Sequence, residues 1–316
     1  MSDLILHHYP VSPFSEKVRL ILGYKELAWK SVIIPNIMPK LDVQALTGGY
    51  RRTPFLQVGS DIYCDTALIC DVLEHLQPEP TIYPEPGKGL ARTIAQWADG
   101  TLFWAAMAHN LQAKGVAQMF AGAPPEVGKA FGDDRKAMRT NMTVLRPSDA
   151  TPAYKSYLRR ISDMLDRHDF LLGSAPCVAD FAVYHPLWFT RTRTPVVADV
   201  LDVTPAVTAW MDRMAAIGQG SFEKLDSAAA IAVAAASKPT EVGKGLLVDS
   251  TFQDEHGIPL GTRVTVAAES FGPEATEGEL IAATRTHYSL ARTDERAGLL
   301  HVHFPRVGFS LRKAEA

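Results

Sequence analysis

Cysteine is scarce in this chain: there are three, at positions 64, 70 and 177, with no metal-like spacing between them. An odd, dispersed count excludes a disulfide framework and fits a reducing compartment. Neither sign of charge is in excess, the formal net charge being −3, so nothing electrostatic favours nucleic acid or an anionic membrane as a partner. Long apolar runs are also missing. The run Ala228–Ala236 falls far below the ~20 residues that a membrane-spanning helix needs. The first ten residues, MSDLILHHYP, lack a basic stretch ahead of their short apolar run, which argues against a signal peptide. A soluble, cytoplasmic protein is expected. His7-His8 and His301/His303 have no third ligand at metal spacing, so no metal is expected either.

What is present is an ordinary globular composition, 47% hydrophobic and 21% charged over 316 residues, enough for two or three domains. Three textures follow one another. Residues 4–9 and 29–34 read as strands around a helix at 14–25; residues 53–58 and 61–64 read as a hairpin across Gly59-Ser60, followed by a helix at 66–76. This is a small mixed sheet with helices packed on it. Residues 77–89, with Pro78, Pro80, Pro84 and Pro86, read as a linker. From 88 to 227 the pattern is helical, with helices near 89–114, 126–145, 153–168, 178–190 and 205–217, a loop at Gly115–Pro125, and Pro186 set to end or bend the fourth helix. After residue 237 come five short β-like runs punctuated by glycine, near 264–266, 280–283, 287–291, 299–304 and 307–311. They predict an independent small barrel of SH3-like type over 238–316 that packs beside the helical domain and covers an apolar surface of it, with Ala228–Ala236 as a helix between the two.

The chemistry is concentrated in three short segments. In Tyr9–Leu22, YPVSPFSEKVRLIL, Ser12 is a good N-cap and Pro13 a good first helical residue. Phe14, Val18, Ile21 and Leu22 form the helical stripe and leave Lys17, Arg19 and Lys25 outside it. A strand end running into a helix N-terminus gathers free N–H groups that stabilise a thiolate or carboxylate. In Arg52–Val58, RTPFLQV, Pro54 near a strand start implies a turn, trans or cis, that presents the backbone of Thr53. In Asp61–Glu74, Asp65 and Thr66 stand at a second strand-to-helix junction and can cap it.

In this order the three segments resemble the N-terminal, thioredoxin-like half of the cytosolic glutathione transferases. Ser12–Lys17 (SPFSEK) is similar to the catalytic stretch of the zeta and omega classes, Thr53-Pro54 to the family's valine and cis-proline, and Asp65-Thr66 to its acidic-Ser pair. Ala179-Asp180 and Pro205–Met214 resemble the last helices of the family's all-helical half. The resemblance implies domains at 1–77 and 88–227, with 238–316 as an extension outside it.

It also implies a site. Glutathione would be the co-substrate, its γ-glutamyl end held by Asp65 and Thr66, its cysteinyl peptide unit paired with the backbone of Thr53 beside Pro54, and its thiolate receiving the hydroxyl hydrogen of Ser12. Arg52 and Lys40 are candidates for the glycine carboxylate, and Phe14 lies beside the tripeptide. Val11, Phe14, Phe103, Trp104 and His109 would line the pocket for a small-molecule electrophile. Ser15, one helical turn on, is a rival to Ser12. Serine in place of cysteine favours addition, substitution, peroxide reduction or isomerisation by bound thiolate over disulfide exchange. A homodimer is implied as well. The alternatives are a non-catalytic ligand-binding member of the fold and a glutathione-dependent lyase, isomerase or dehalogenase. Two departures stand out: Cys177, a poor cap, precedes Asp180 where the family has Ser or Thr, and Thr47-Gly48-Gly49-Tyr50 replaces the family's Asn-Pro. All the motifs precede residue 70 or lie in the helical half, so the extension is expected to supply no glutathione contacts.

Overall fold

The computed structural model of the chain describes residues 3–139, 142–202, 204–253 and 255–315. Strand β1 (Leu4–His8) is buried along its whole length and lies parallel to β2 (Trp29–Ile33), the crossover between them being helix α1 (Pro13–Tyr24). A short helix, α2 (Leu41–Thr47), leads to the hairpin β3 (Phe55–Val58) and β4 (Asp61–Cys64), and α3 (Thr66–Leu76) follows. β3 runs antiparallel to β1, with Leu56 opposite Leu6.

The helical part contains α4 (Lys88–Trp97), a π-helical turn at Ala98–Leu102, α5 (Phe103–Asn110), α6 (Ala113–Met119), α7 (Pro125–Ala137), α8 (Pro147–Met164), α9 (Val178–Arg193) and α10 (Pro205–Ala216). Strand β5 (Phe222–Lys224) then returns to pair with β2, and α11 (Ser227–Ala235) leads into β6 (Arg263–Ala268), β7 (Thr276–Ala283), β8 (His287–Asp294), β9 (Gly298–Pro305) and β10 (Phe309–Lys313).

The C-terminal strands do not form the separate closed barrel expected of them. All ten strands belong to one sheet in the order β10-β6-β7-β8-β9-β4-β3-β1-β2-β5, and β9 lies parallel to β4 with Asp61 opposite His301 and Tyr63 opposite His303. The reason is the outer edge of β4, whose free N–H and C=O groups β9 satisfies. The five strands are nonetheless curled. In a flat sheet β9 and β10 would stand about 19 Å apart, at ~4.8 Å per strand. The three residues 306–308 that join them span at most about 14 Å.

Two apolar cores flank the sheet. One joins the α1 and α3 side to the helical part, around Leu6, Ile21, Leu73, Phe181 and Trp210. The other lies on the opposite face and mixes Ile5, Val43, Phe55 and Ile62 with Ile231 of α11 and with Val264, Leu290, Val302 and Phe309. Thus α11 packs between the C-terminal strands and the N-terminal sheet, against α2, β2 and β9, and the extension is joined to that sheet through β4 where the sequence had it packed beside the helical domain.

Four sequence expectations need correction. The 89–114 helix is broken at the π turn and after Asn110, and α6 occupies part of the expected Gly115–Pro125 loop. Pro186 lies inside α9, which continues to Arg193, so of the two outcomes expected of it, an end or a bend, the end is excluded. Lys17, Arg19 and Lys25 are buried, not outside the stripe. Each was misread because its head group finds a partner: Asp99 for Lys17, Glu16 and the Pro10 carbonyl for Arg19, Glu74 and two carbonyls for Lys25. Buried charge is tolerated when paired in this way. Finally, Cys177 does cap α9. Its backbone N–H donates to Asp180 Oδ2 at 2.9 Å and its thiol reaches the same oxygen at 3.3 Å.

Candidate functional site

The three polar segments converge at one end of the sheet, where α1 and α3 begin. Ser12 caps α1, its hydroxyl oxygen accepting from the N–H of Ser15 at 3.2 Å. Among the described residues no acceptor takes the Ser12 hydroxyl hydrogen. The hydroxyl of Ser15 is fully buried and has no partner among the described residues.

The Thr53–Pro54 bond is cis, which settles the alternative left open by the sequence. Asp65 caps α3, its Oδ1 accepting from the N–H of Ala67 at 3.0 Å. Its φ of 75° is one that a non-glycine residue rarely adopts, and such a position costs about 1–3 kcal/mol unless its surroundings hold it. Arg52 helps hold it, with Nη1 3.2 Å from Asp65 Oδ2. Thr66 accepts from Lys17 Nζ at 3.2 Å.

Lys17 was missed as a site residue, although the helical wheel contained the signal. It lies three residues after Phe14 and four before Ile21, which puts it on the inner face of α1. Its ammonium is 2.6 Å from Asp99 Oδ2, and the other oxygen of Asp99 is 2.9 Å from His185 Nε2. The π turn at Ala98–Leu102 is what aims Asp99 inward. Burial would raise the Asp99 carboxyl, but Lys17 and His185 outweigh it and hold it below the usual range. Burial likewise opposes the charge on Lys17, and Asp99 outweighs it. His185 is driven below its ordinary value by burial, against the pull of Asp99.

A basic group lies on the other side. Lys40 is almost completely buried, with its ammonium 5.6 Å from the centre of the Tyr9 ring. Burial and then the neighbouring Arg135 hold it down to about 8, so it stays mainly cationic at neutral pH. Arg135, from α7, donates to the Tyr9 hydroxyl at 3.1 Å and the Asn36 carbonyl at 2.8 Å. Arg51 pairs with Asp134 at 2.6 Å and with Glu274. Tyr9 and Arg135 had not been singled out in the sequence.

The candidate pocket residues separate into two groups. Phe14, Phe103 and Trp104 form a row, with Phe14 and Phe103 4.7 Å apart and Phe103 and Trp104 4.9 Å apart. Half-buried Val11 precedes Ser12 at the turn into α1. His109 does not join them: its ring nitrogens are bonded to Thr151 Oγ1 and the Val197 carbonyl, within the helical layer. One neighbour comes from outside the expected set. Phe271, in the β6–β7 loop, stands 5.1 Å from Trp104, and its carbonyl accepts from Arg52 Nε at 2.6 Å.

The comparisons with known proteins bear on the fold. A family model described as glutathione S-transferase, N-terminal domain, matches residues 6–81, and one described as glutathione S-transferase, C-terminal domain, matches residues 148–213. The crystal structure of a GST-like protein from Pseudomonas syringae is 41% identical, with 99% of this chain and 100% of that one covered and a TM-score of 0.81. FtsZ-localized protein A of Caulobacter vibrioides is 27% identical over 195 residues, 56% of this chain and 72% of the relative. The β-etherase LigF of Sphingobium sp. strain SYK-6, at 17% identity and a TM-score of 0.52, covers 68% of this chain and 96% of its own, a likeness of fold alone.

Proposed function

Because the chain belongs to the glutathione S-transferase family, we propose that it binds glutathione across Ser12, Thr53-Pro54 and Asp65-Thr66 and activates the thiolate for attack on a small electrophile or peroxide. The observation that carries this reading is the meeting of the starts of α1 and α3 at one end of the sheet, where Ser12 caps α1, Asp65 caps α3 and Lys17 reaches from α1 to Thr66.

Each group has a task. Asp65 meets the γ-glutamyl ammonium, and Thr66 at the start of α3 meets its carboxylate. Lys17 already donates to Thr66, so its charge, shared with Asp99, favours that same carboxylate. Lys40, which has no anion of its own among the described residues, suits the glycine carboxylate better than Arg52, whose guanidinium is occupied by Asp65 and Phe271. The free hydrogen of Ser12 points the assignment of the thiolate partner to Ser12 over Ser15, whose hydroxyl is sealed in. With a carbon electrophile the sulfur's electron pair then forms the C–S bond, while a leaving group departs with its own pair or a conjugated double bond takes up a proton. With a peroxide it forms an S–O bond as the O–O bond breaks, the alcohol leaves with a proton, and a second glutathione converts the sulfenic acid to the disulfide and water.

The reading keeps the division at 1–77, 88–227 and 238–316, a cytoplasmic setting and a homodimer. The dimer has to use a surface other than the outer edge of β4, which β9 occupies. A second reading, a non-catalytic binding member of the fold, is favoured by the Caulobacter relative, whose name records localisation with FtsZ and no reaction.

Titration calorimetry with glutathione tests the proposal. Asp65→Ala should weaken binding by more than about 1 kcal/mol, since a charged hydrogen-bonding partner is lost. Ser12→Ala should leave affinity nearly intact and raise the pKa of the bound thiol, followed by thiolate absorbance against pH. Unchanged affinity in Asp65→Ala would place the ligand elsewhere. Tight binding without turnover of any electrophile or peroxide would favour the non-catalytic reading.

A further inference from the structure

The β6–β7 loop, residues 269–275, lies in the part of the chain that neither family model covers. It reaches the candidate site at several points. The Phe271 ring extends the row Phe14–Phe103–Trp104 at 5.1 Å from Trp104, inclined by 59°. The backbone of the same residue is tied to Arg52, whose Nη2 also reaches Ser270 Oγ at 3.2 Å and whose Nη1 holds Asp65. The loop is anchored at its far side too. The N–H of Gly272 donates to the Met138 carbonyl at 2.8 Å, and Glu274 pairs with Arg51. It is therefore a fixed wall built onto the residues proposed to hold the γ-glutamyl end.

From this we infer that Phe271 is a specificity-determining residue for the electrophile: it completes an aromatic wall that selects a flat, aromatic group on the sulfur over an alkyl chain of similar size. The inference rests on the proposed glutathione function. A group carried by the sulfur near Ser12 meets Phe14 first, because Phe14 is two residues along the same turn. Beyond it lie Phe103, Trp104 and then Phe271. The half-buried rings of Phe14, Trp104 and Phe271, backed by the buried Phe103 at mutual tilts of 52°, 77° and 59°, offer both edges and faces to a planar guest, the arrangement in which aromatic pairs gain about 0.5–1.5 kcal/mol beyond area burial. An alkyl chain gains only the burial.

The test is calorimetry on the full chain with three probes: glutathione, S-hexylglutathione and S-(2,4-dinitrophenyl)glutathione. The wild type is expected to bind the dinitrophenyl conjugate about tenfold more tightly than glutathione, and more tightly than the hexyl conjugate. In Phe271→Ala that advantage should fall severalfold, with glutathione itself bound as before. Phe271→Tyr should restore the advantage and Phe271→Leu should not. Intact glutathione affinity in the variant also reports that it is folded. A preference for the hexyl conjugate in the wild type, or an advantage that survives Phe271→Ala, overturns the assignment of Phe271. Absence of glutathione binding in the wild type would instead overturn the function on which the inference rests.

Discussion

At the scale of single residues, buried ionisable side chains set how the protein responds to acid. His7 is sealed between Gln57, which it meets at 2.8 Å, and the Phe55 ring stacked 4.3 Å away, and burial lowers it to about 4. His287 is likewise lowered to about 4, chiefly by burial, and His8 to about 3, by burial and then Arg19. These folded values lie below the ~6.5 of an unfolded histidine. The unfolded chain therefore takes up protons first, and the stability present above pH 6.5 drains away as the pH falls toward 4. Each group adds a slope of up to about 1.4 kcal/mol per pH unit. Urea titrations between pH 7.5 and 4.5 should show this loss, and His7→Asn should make it shallower by about one histidine's share. An unchanged slope would mean that His7 is protonated in the folded state. Ser12, Thr53-Pro54, Asp65 and Phe14 were legible because caps, prolines and strand-to-helix junctions are local signals. Lys17, Tyr9 and Arg135 were not, since their importance comes from partners as far away as Asp99 and α7.

Among the elements, the loop between α2 and β3 explains a departure that the sequence alone could only note. Gly48 and Gly49 stand where the C-terminal strands dock. A Cβ on Gly49 would fall 2.1 Å from the Ala275 carbonyl, and one on Gly48, whose φ is +81°, would meet Arg292 at 2.7 Å. The same loop is held by Thr276, which donates to the Thr47 carbonyl at 2.9 Å, and by Arg292, which donates to Ala45 at 2.6 Å. Gly49→Ala is expected to cost about 1–3 kcal/mol, the usual penalty of overpacking. Gly89→Ala, in α4 with open space around it, should be neutral or stabilising by up to about 1 kcal/mol. Urea midpoints of the two variants measured side by side decide the matter, and equal midpoints would refute the docking argument. The strands themselves were readable as short β-like runs punctuated by glycine. Their pairing with β4 was not, because period-2 patterning states which face is buried and not which edge is a neighbour.

For the whole molecule, the division into three textures was visible in composition and periodicity, but the independence of the third was not. One core has members from β1, β3, β4, α2, α11 and the five C-terminal strands. A chain ending at residue 237 would keep the polar segments of the site and lose half of that core, the cover on the β4 edge and the Phe271 wall. Such a chain is expected to be insoluble or to bind a hydrophobic dye strongly. Its recovery in soluble form with glutathione affinity intact would show that the first 237 residues fold on their own.

The partnership of β4 with β9 also has a temporal side. Asp61 and His303 meet across 242 positions of sequence. At roughly 5–20 residues per second of synthesis, β4 leaves the ribosome about 10–50 s before the strand that completes it. During that interval the nascent sheet carries an open edge beside Phe55, Ile62 and Cys64, so correct assembly depends on keeping that edge unpaired until the last strands have emerged. The exposure of this fold to aggregation is therefore greatest during its synthesis, over the 242 positions that separate Asp61 from His303.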